Sequence, residues 1–425
     1  MKKLILLFLI LNMSLEAQTK YIHAGYIFDV DSGKYLKNKT IIVSENIIQS
    51  IQDGFLESDN ESIVNIDLKS EFVLPGLIDF HVHMEGESGG PEKYISRFQD
   101  NKADIAFKSS VIAKKTLMAG FTTVRDVGGS GVNISLRNAI NNGVIPGPRI
   151  FTSGKTLATT GGHGDRTNGY RDDLVDDPGP EEGVVNSIAD ARKAVRYRYK
   201  NGADLIKITA TGGVMSLAKN GQNPQFTEEV IREIVKIADD YGMHVAAHAH
   251  GDEGMYRAVN AGVTTIEHGS IMKERTMKLM KEKNTFLVPT ISAGEHVAKM
   301  AKIPGYYPEI IIPKAIEVGV QNKNTTKKAY EMGVSIAFGT DAGVFPHGDN
   351  AGEFAYMEEI GIPPQFSIKS ATMTNAKLLG LENNLGQIKE GFFADIIAVE
   401  EDPVKNIKTL QNVVFVMKNG NVYKN

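Results

Sequence analysis

The sequence predicts an α/β protein, a (β/α)8 TIM barrel with a small β-sandwich domain formed from both chain ends. The first sign is a unit that recurs along the middle of the chain. A helix-like stretch ends in glycine, and a short apolar strand follows that ends in polar or small residues. Gly120 leads into FTTVRDVG, Gly202 into ADLIKITATGG, Gly242 into MHVAAHAHG, Gly262 into VTTIEHG and Gly333 into VSIAFGTDAG. Gly143 before residues 148–154 and Asn284 before 285–290 fit more loosely. Glycine just past a helix is the expected capping residue. Strands this apolar have no wet face, which means βα units on a parallel sheet. The second sign is the count. With the strand that ends at His81 and His83 there are eight units over about 300 residues, a barrel whose site lies at the C-terminal ends of its strands. A doubly wound open sheet is the rival architecture, but no glycine-rich phosphate fingerprint follows the first strand. The third sign is that both chain ends are rich in strands, and neither end could bury a core alone.

In chain order, Lys2 and Lys3 precede an apolar run over 4–11 that is too short to span a bilayer. We read residues 1–17 as a signal peptide cleaved after Ala17, without the cysteine of a lipoprotein signal, and the mature protein as exported, periplasmic or secreted. Residues 18–72 form the first part of the sandwich: 21–30, 40–43 and 47–51 are β-branched or aromatic runs broken by turn residues. The barrel occupies 73–385. Residues 386–425 complete the sandwich, with strands at 394–399 and 413–422, the latter closing on an Asn419-Gly420 hairpin turn.

Hydrophobic content of 42% and charged content of 23% are ordinary for a globular protein. A net charge of −4 without a Lys/Arg cluster argues against a nucleic-acid partner. The chain has no cysteine, so disulfides and thiolate chemistry are excluded and any metal must be held by His, carboxylates or a modified side chain.

The polar residues on the strands point to such a metal. In 73–84, VLPGLIDFHVHM, the histidines at 81 and 83 leave an extended strand on one face, close enough to hold one ion. His248 and His250 share a face, His268 ends the next strand on the parity of Ile266, and Asp341 ends the last. His244 has the parity of His248 but lies roughly 13 Å lower on the strand, as a core residue would. Lys207 sits between Ile206 and Ile208, where burial disfavours the ammonium. A neutral amine beside metal ions can take up carbon dioxide and become a carbamate, a bidentate anionic ligand; the competing role is a lysine paired with a carboxylate. His23 and His296 read as surface or packing residues.

Taken together, LPGLIDFHVH (74–83), TTVRD (122–126), TGGH (160–163), ADLIK (203–207), HAH (248–250), IEH (266–268), GTD (339–341), SATMTN (370–375) and GQIKEGFFAD (386–395) resemble the amidohydrolase superfamily. The ADLIK, TGGH and IEH segments look most like its prolidase (Xaa-Pro dipeptidase) branch, related to the imidazolonepropionases. Phe392-Phe393 departs from the small or Lys residue usual before Ala-Asp, which concerns only the sandwich.

The resemblance implies two divalent ions. His81, His83 and Asp341 would hold one, His248 and His268 the other, with carboxylated Lys207 as the bridge. Zinc is the expected occupant for a donor set without sulfur, and manganese or cobalt can substitute. It further implies attack of a metal-bridging hydroxide on an amide or peptide bond, Asp341 moving the proton and His163 bonding the oxyanion. Gly161 and Gly162 would let the loop backbone approach the substrate. Tyr170, Arg171 and His250 are the unranked candidates for gripping a substrate carboxylate. The partner is a small molecule, a dipeptide or other amide; no membrane span is expected after signal cleavage, and a homo-oligomer is compatible with the sequence. Hydrolysis of a cyclic amide or lactone is the alternative reaction, and an exported metal- or ligand-binding protein without turnover the alternative class.

Overall fold

The computed structural model describes residues 18–87, 89–90, 95–96, 98–216 and 220–425. The expected signal segment lies outside them. Both chain ends contribute to one seven-stranded sheet. From the N-terminal side come β1 (Lys20–Asp29), β2 (Lys34–Ser44), β3 (Ile47–Asp53) and β4 (Val64–Pro75); from the C-terminal side come β12 (Ile396–Val399), β13 (Phe415–Lys418) and β14 (Asn421–Lys424). The order is β14-β13-β12-β4-β1-β2-β3. An Ile47–Phe393 bridge brings the β3 edge back to the segment that enters β12, so the sheet rolls around its own core of Ile22, Ile41, Ile48, Ile66, Ile396 and Phe415. The Asn419-Gly420 turn, with φ 47° and 71°, has the left-handed pair that a two-residue hairpin requires.

β4 carries the chain into the second part of the molecule. The run expected as a single strand through His83 is two strands: β4 ends at Pro75, and β5 (Leu77–Val82) belongs to a different sheet. Gly76 is the corner. Its N–H donates to the Asp395 carbonyl at 2.8 Å, and a β-carbon there would lie 2.1 Å from Thr122 Oγ1, so only glycine lets the backbone turn against the neighbouring strand.

The middle of the chain alternates as expected. β5, β6 (Phe121–Asp126) and β7 (Arg149–Thr152) form one parallel sheet; β8 (Ile206–Thr209), β9 (Val245–Gly251), β10 (Thr265–Ile271) and β11 (Phe286–Val288) form another. Helices α1 (Lys102–Met118), α2 (Val132–Asn141), α3 (Ile188–Lys200), α4 (Glu228–Asp240), α5 (Asp252–Ala261) and α6 (Glu274–Lys283) connect the strands, followed by α7 (Ile291–Met300) and α8 (Ile312–Glu331). A Leu157–Ile208 bridge joins the sheets on one side. On the other, 335–342 runs between β11 and β5, bridging Leu287 through Ile336 and Val82 through Ala342. That segment was expected as the eighth strand, and it pairs at single bridges instead of a continuous ladder. Gly339 lets it approach Val288 and His81, and Asp341, at φ 61°, breaks the extended run.

The helix sides of the strands are packed with Ile208, Ala247, Ile266 and Leu287 against Ile234, Met255 and Met280. Polar side chains therefore have one place to go, the interior ends of the strands. Among the described residues no helix is long and apolar enough to cross a membrane.

The corner predicts its own test. Gly76→Ala should lower unfolding stability by about 1–3 kcal/mol, the usual effect of overpacking a buried site. Trimming Thr122 to Ala in the same chain should recover part of the loss in chemical denaturation.

Candidate active site

All six residues expected to bind metal, together with His163 and His250, line one cavity of about 210 Å3 at the strand ends. The ligand atoms of His81, His83 and Asp341 lie within 4.8 Å of one another. Asp341 Oδ1 is 3.5 Å from His81 Nε2 and 3.3 Å from His83 Nε2. The rings of His248 and His268 are 4.6 Å apart, and His268 is 4.9 Å from His81.

Each ring is held by one nitrogen. His83 Nδ1–H donates to the Gly128 carbonyl at 2.8 Å, and His248 Nε2–H to the Gly212 carbonyl at 3.1 Å. A carbonyl can only accept, so these contacts set the tautomers and leave His83 Nε2 and His248 Nδ1 as the basic atoms. His268 Nδ1 is 2.7 Å from Thr290 Oγ1, and His81 Nδ1 is 2.7 Å from Glu267 Oε2. The remaining nitrogen of His81 is buried without a hydrogen-bond partner. Burial pushes the pKa values of His81, His248 and His268 well below the usual imidazole value, with neighbouring histidines and Lys207 adding to the effect. Neutral rings anchored on one nitrogen, with an orphaned nitrogen facing a carboxylate, are the donor set that a divalent cation requires. The residues fit a metal.

Lys207 is buried on β8, and burial pushes its ammonium down to about 8 against the upward pull of Glu267 and Asp341. The pairing with a carboxylate that was its competing role is not made: among the described residues its ammonium forms no ion pair or hydrogen bond. His163 stacks on His248 with ring centroids 4.4 Å apart, and a β-carbon on Gly213 would sit 2.3 Å from its ring. The glycine therefore makes the space that the imidazole fills. His250 lines the cavity, with Nδ1 3.0 Å from Ser270 Oγ. Tyr170 packs on Phe98 instead, and Arg171 is exposed and paired with Asp173; neither lines the cavity. His244 stacks against Phe80 and contacts Arg125, consistent with a packing role. His23 bonds the Leu56 carbonyl, and His296 packs on Phe345.

Beneath the cavity lies a network that the sequence reading passed over. Arg125 on β6 and Glu267 on β10 are fully buried and joined at 2.6 Å; Arg125 also donates to the Phe80 carbonyl at 2.6 Å and lies 3.9 Å above the Phe80 ring. The parity expected for His268 does not hold. Ile266 packs on the helix side and Glu267 faces inward, so His268 should face out; its φ of 71° swings it back to the cavity. Asp79 accepts from Thr340 N and Oγ1, Asn350 Nδ2 and His81 N, which ties β5 to the turn carrying Asp341. Glu353 accepts from the N–H groups of Ile291 and Ser292, beside Thr290. His347 reaches the carbonyl of His83 at 3.1 Å. The signal for Arg125 and Glu267 was present in the sequence: a charged residue inside an apolar strand survives burial only if paired.

Comparison with known proteins gives the family. The model of the amidohydrolase family matches residues 72–424. The chain is 32% identical to an ochratoxinase of Aspergillus niger, over 96% of this chain and 87% of that protein. It is similar to the crystal structure of a Xaa-Pro dipeptidase with methionine bound in the active site, at 51% identity and a TM-score of 0.93, covering 96% of this chain and all of the other. A prolidase complexed with N-methylphosphonate-L-proline is 30% identical with a TM-score of 0.86, covering 96% and 99% of the two chains.

The network predicts that Glu267→Gln keeps the shape of the site and loses its charge balance. Metal affinity, measured by competition with a chelator, should fall about 10- to 100-fold, as when the partner of a ligating histidine is removed. Denaturation should show a loss of about 3–5 kcal/mol from the uncompensated Arg125.

Proposed function

The chain belongs to the amidohydrolase family, and on that premise we propose that it is a binuclear metal-dependent dipeptidase of prolidase type. It is a hydrolase of amide bonds; the dipeptide substrate and the two-ion site are our reading. The observation that carries it is the likeness, over 96% of this chain, to the Xaa-Pro dipeptidase with bound methionine, on a chain whose six ligand-type residues meet in one cavity. We read the ring of pairings from β5 through 335–342 as a closed (β/α)8 barrel over 73–385, flanked by a sandwich of 18–72 and 386–425.

His81, His83 and Asp341 would hold one ion and His248 and His268 the other, with Lys207 as a bridging carbamate. Bound divalent ions, zinc in our reading, supply a Lewis acid for the scissile carbonyl and lower the pKa of the attacking water. The protein's own groups do the rest. Asp341, beside His81 and His83, accepts the proton of the attacking water and hands it to the leaving nitrogen. His163, fixed against His248 over Gly213, donates to the oxygen on which negative charge develops. Lys207 stands on the inner face of β8, with Ile206 and Ile208 packed on the helix side, so its terminal nitrogen would carry the carboxyl group at the cavity. His250 faces the substrate. Cyclic amides and lactones are the competing substrates, and both belong in the same assay.

Metal-loaded protein should hydrolyse Xaa-Pro or related dipeptides faster than cyclic amides and lactones, with close to two ions per chain by elemental analysis. Lys207→Ala should lose at least one ion and most turnover, and bicarbonate or a short carboxylic acid should restore part of it. Lys207→Arg should fail as well, because a guanidinium forms no carbamate. A fully metallated, active Arg variant would return the lysine to an ordinary ion-pairing role.

We also propose that the mature protein begins near Gln18 outside the cytoplasm, on the strength of the charged and apolar residues before it. N-terminal sequencing of protein from the native host should find that start; Met1 in a cytosolic fraction would contradict it.

A further inference from the structure

A second, smaller cavity of about 90 Å3 adjoins the first and shares Val214, His250 and Val318 with it. Its floor is the end of β9 at His250. One wall is made by Val214 and by Asn220, Gly221 and Gln222. Thr211 bridges to Pro224, and a β-carbon on Gly251 of β9 would lie 2.0 Å from the Gln222 carbonyl oxygen. The other wall is the first two turns of α8, which contribute Lys314 and Glu317. Glu317 accepts from Gln222 Nε2 at 3.0 Å, which joins the two walls. Lys314 is buried, and its ammonium donates to the Ser216 carbonyl at 2.6 Å.

A leaving group that is a free amino acid brings a carboxylate into this region. Taking that charge out of water is costly unless a cation or several donors meet it. Among the described residues that line the two cavities, the lysines are Lys207 and Lys314, and no arginine is present. Lys207 lies among the metal-type residues, where the reacting bond must sit. Arg171 is turned out to solvent on Asp173. A lysine is a compact charge on a long stem and can follow a carboxylate without a fixed fork geometry.

We propose that Lys314 binds the free α-carboxylate of the leaving amino acid, in a subsite walled by His250, Val214 and Val318 beside the reaction centre. The assignment rests on the dipeptidase reading and deepens it. The subsite makes the enzyme select substrates with a free C-terminus, and it places the scissile bond one residue away from the anchor, under the histidines. Val214 and Val318 form the apolar part of the wall, where a prolyl ring or a methionyl side chain would lie.

The test compares a hydrolysed dipeptide with its C-terminal amide on wild type, Lys314→Met and Lys314→Arg, each checked for two-ion content and a native circular dichroism spectrum. Wild type should prefer the free acid. Lys314→Met should lower kcat/KM for the acid by roughly 10- to 100-fold, the equivalent of one hydrogen bond to a charged group. The loss should fall in KM, the amide should be unaffected, and Lys314→Arg should retain a preference for the acid. Equal losses on acid and amide, or no loss on either, would overturn the assignment. If wild type cleaves no dipeptide, the functional reading fails by itself, and calorimetry with L-methionine and L-methioninamide judges the subsite. Tighter binding of the acid that disappears in Lys314→Met supports it; a difference that survives the substitution removes it.

Discussion

The site depends on one buried ion pair. Arg125 and Glu267 stand on β6 and β10, two strands that do not pair with each other, and meet at 2.6 Å with no exposure to solvent. A guanidinium in that position needs a carboxylate, and the pair is retained against the desolvation it suffers because it does something an apolar pair could not. The second oxygen of Glu267 takes the Nδ1 proton of His81, which turns the other nitrogen of that ring towards Asp341. Arg125 in turn bonds the Phe80 carbonyl, so the backbone that carries His81 is held from the same pair. Orientation and tautomer of the first ligand are thus decided by a contact made across the interior.

Three more buried contacts extend this control to the other side of the cavity. Asp79 gathers four donors from β5 and the 340–350 segment, and the approach it enforces leaves Asp341 at φ 61°. Burial raises its pKa to about 6, against the hydrogen bonds from Thr340 and Asn350 that favour its charged form. Glu353 caps the first N–H groups of α7, and Thr290 before it, at φ 51°, carries the hydroxyl that meets His268. His268, Thr290 and Asp341 are non-glycine residues in the left-handed region, and all three lie at the cavity. Backbone strain of this kind persists only where the surroundings over-determine it, which is what these carboxylates do.

The sequence made much of this legible because periodicity and spacing are local. The glycine-ended helices, the apolar strands and the His-Val-His pair each announce themselves within a dozen residues, and the structure places them as alternating helices and parallel strands with His81 and His83 at one strand end. What escaped is non-local. Nothing near Gly76 says that Thr122 will press against it, so one long strand was expected where two meet at a corner. Alternation assigned His268 the wrong partner face, because strand parity assumes extended φ and His268 does not have it. Arg125 and Glu267 lie 142 positions apart, and their pairing exists only once the strands have been arranged. Lys314 sits in a helix that reads as an ordinary connector until its ammonium is seen to meet the Ser216 carbonyl, 98 positions away.

The charge of Lys207 closes the electrostatic argument. The imidazoles around it are held neutral by burial, and Glu267 is spoken for by Arg125. That leaves Asp341 as the anion facing the cavity, and a protonated Lys207 would cancel it. An anionic group beside neutral nitrogens adds Coulomb attraction for a divalent cation. In the carbamate form that we propose, the side chain would contribute a negative charge, and two anionic groups would face the cavity in place of one. The buried position of Lys207 among these histidines, with no ion-pair partner among the described residues, suits the anionic working form that we propose.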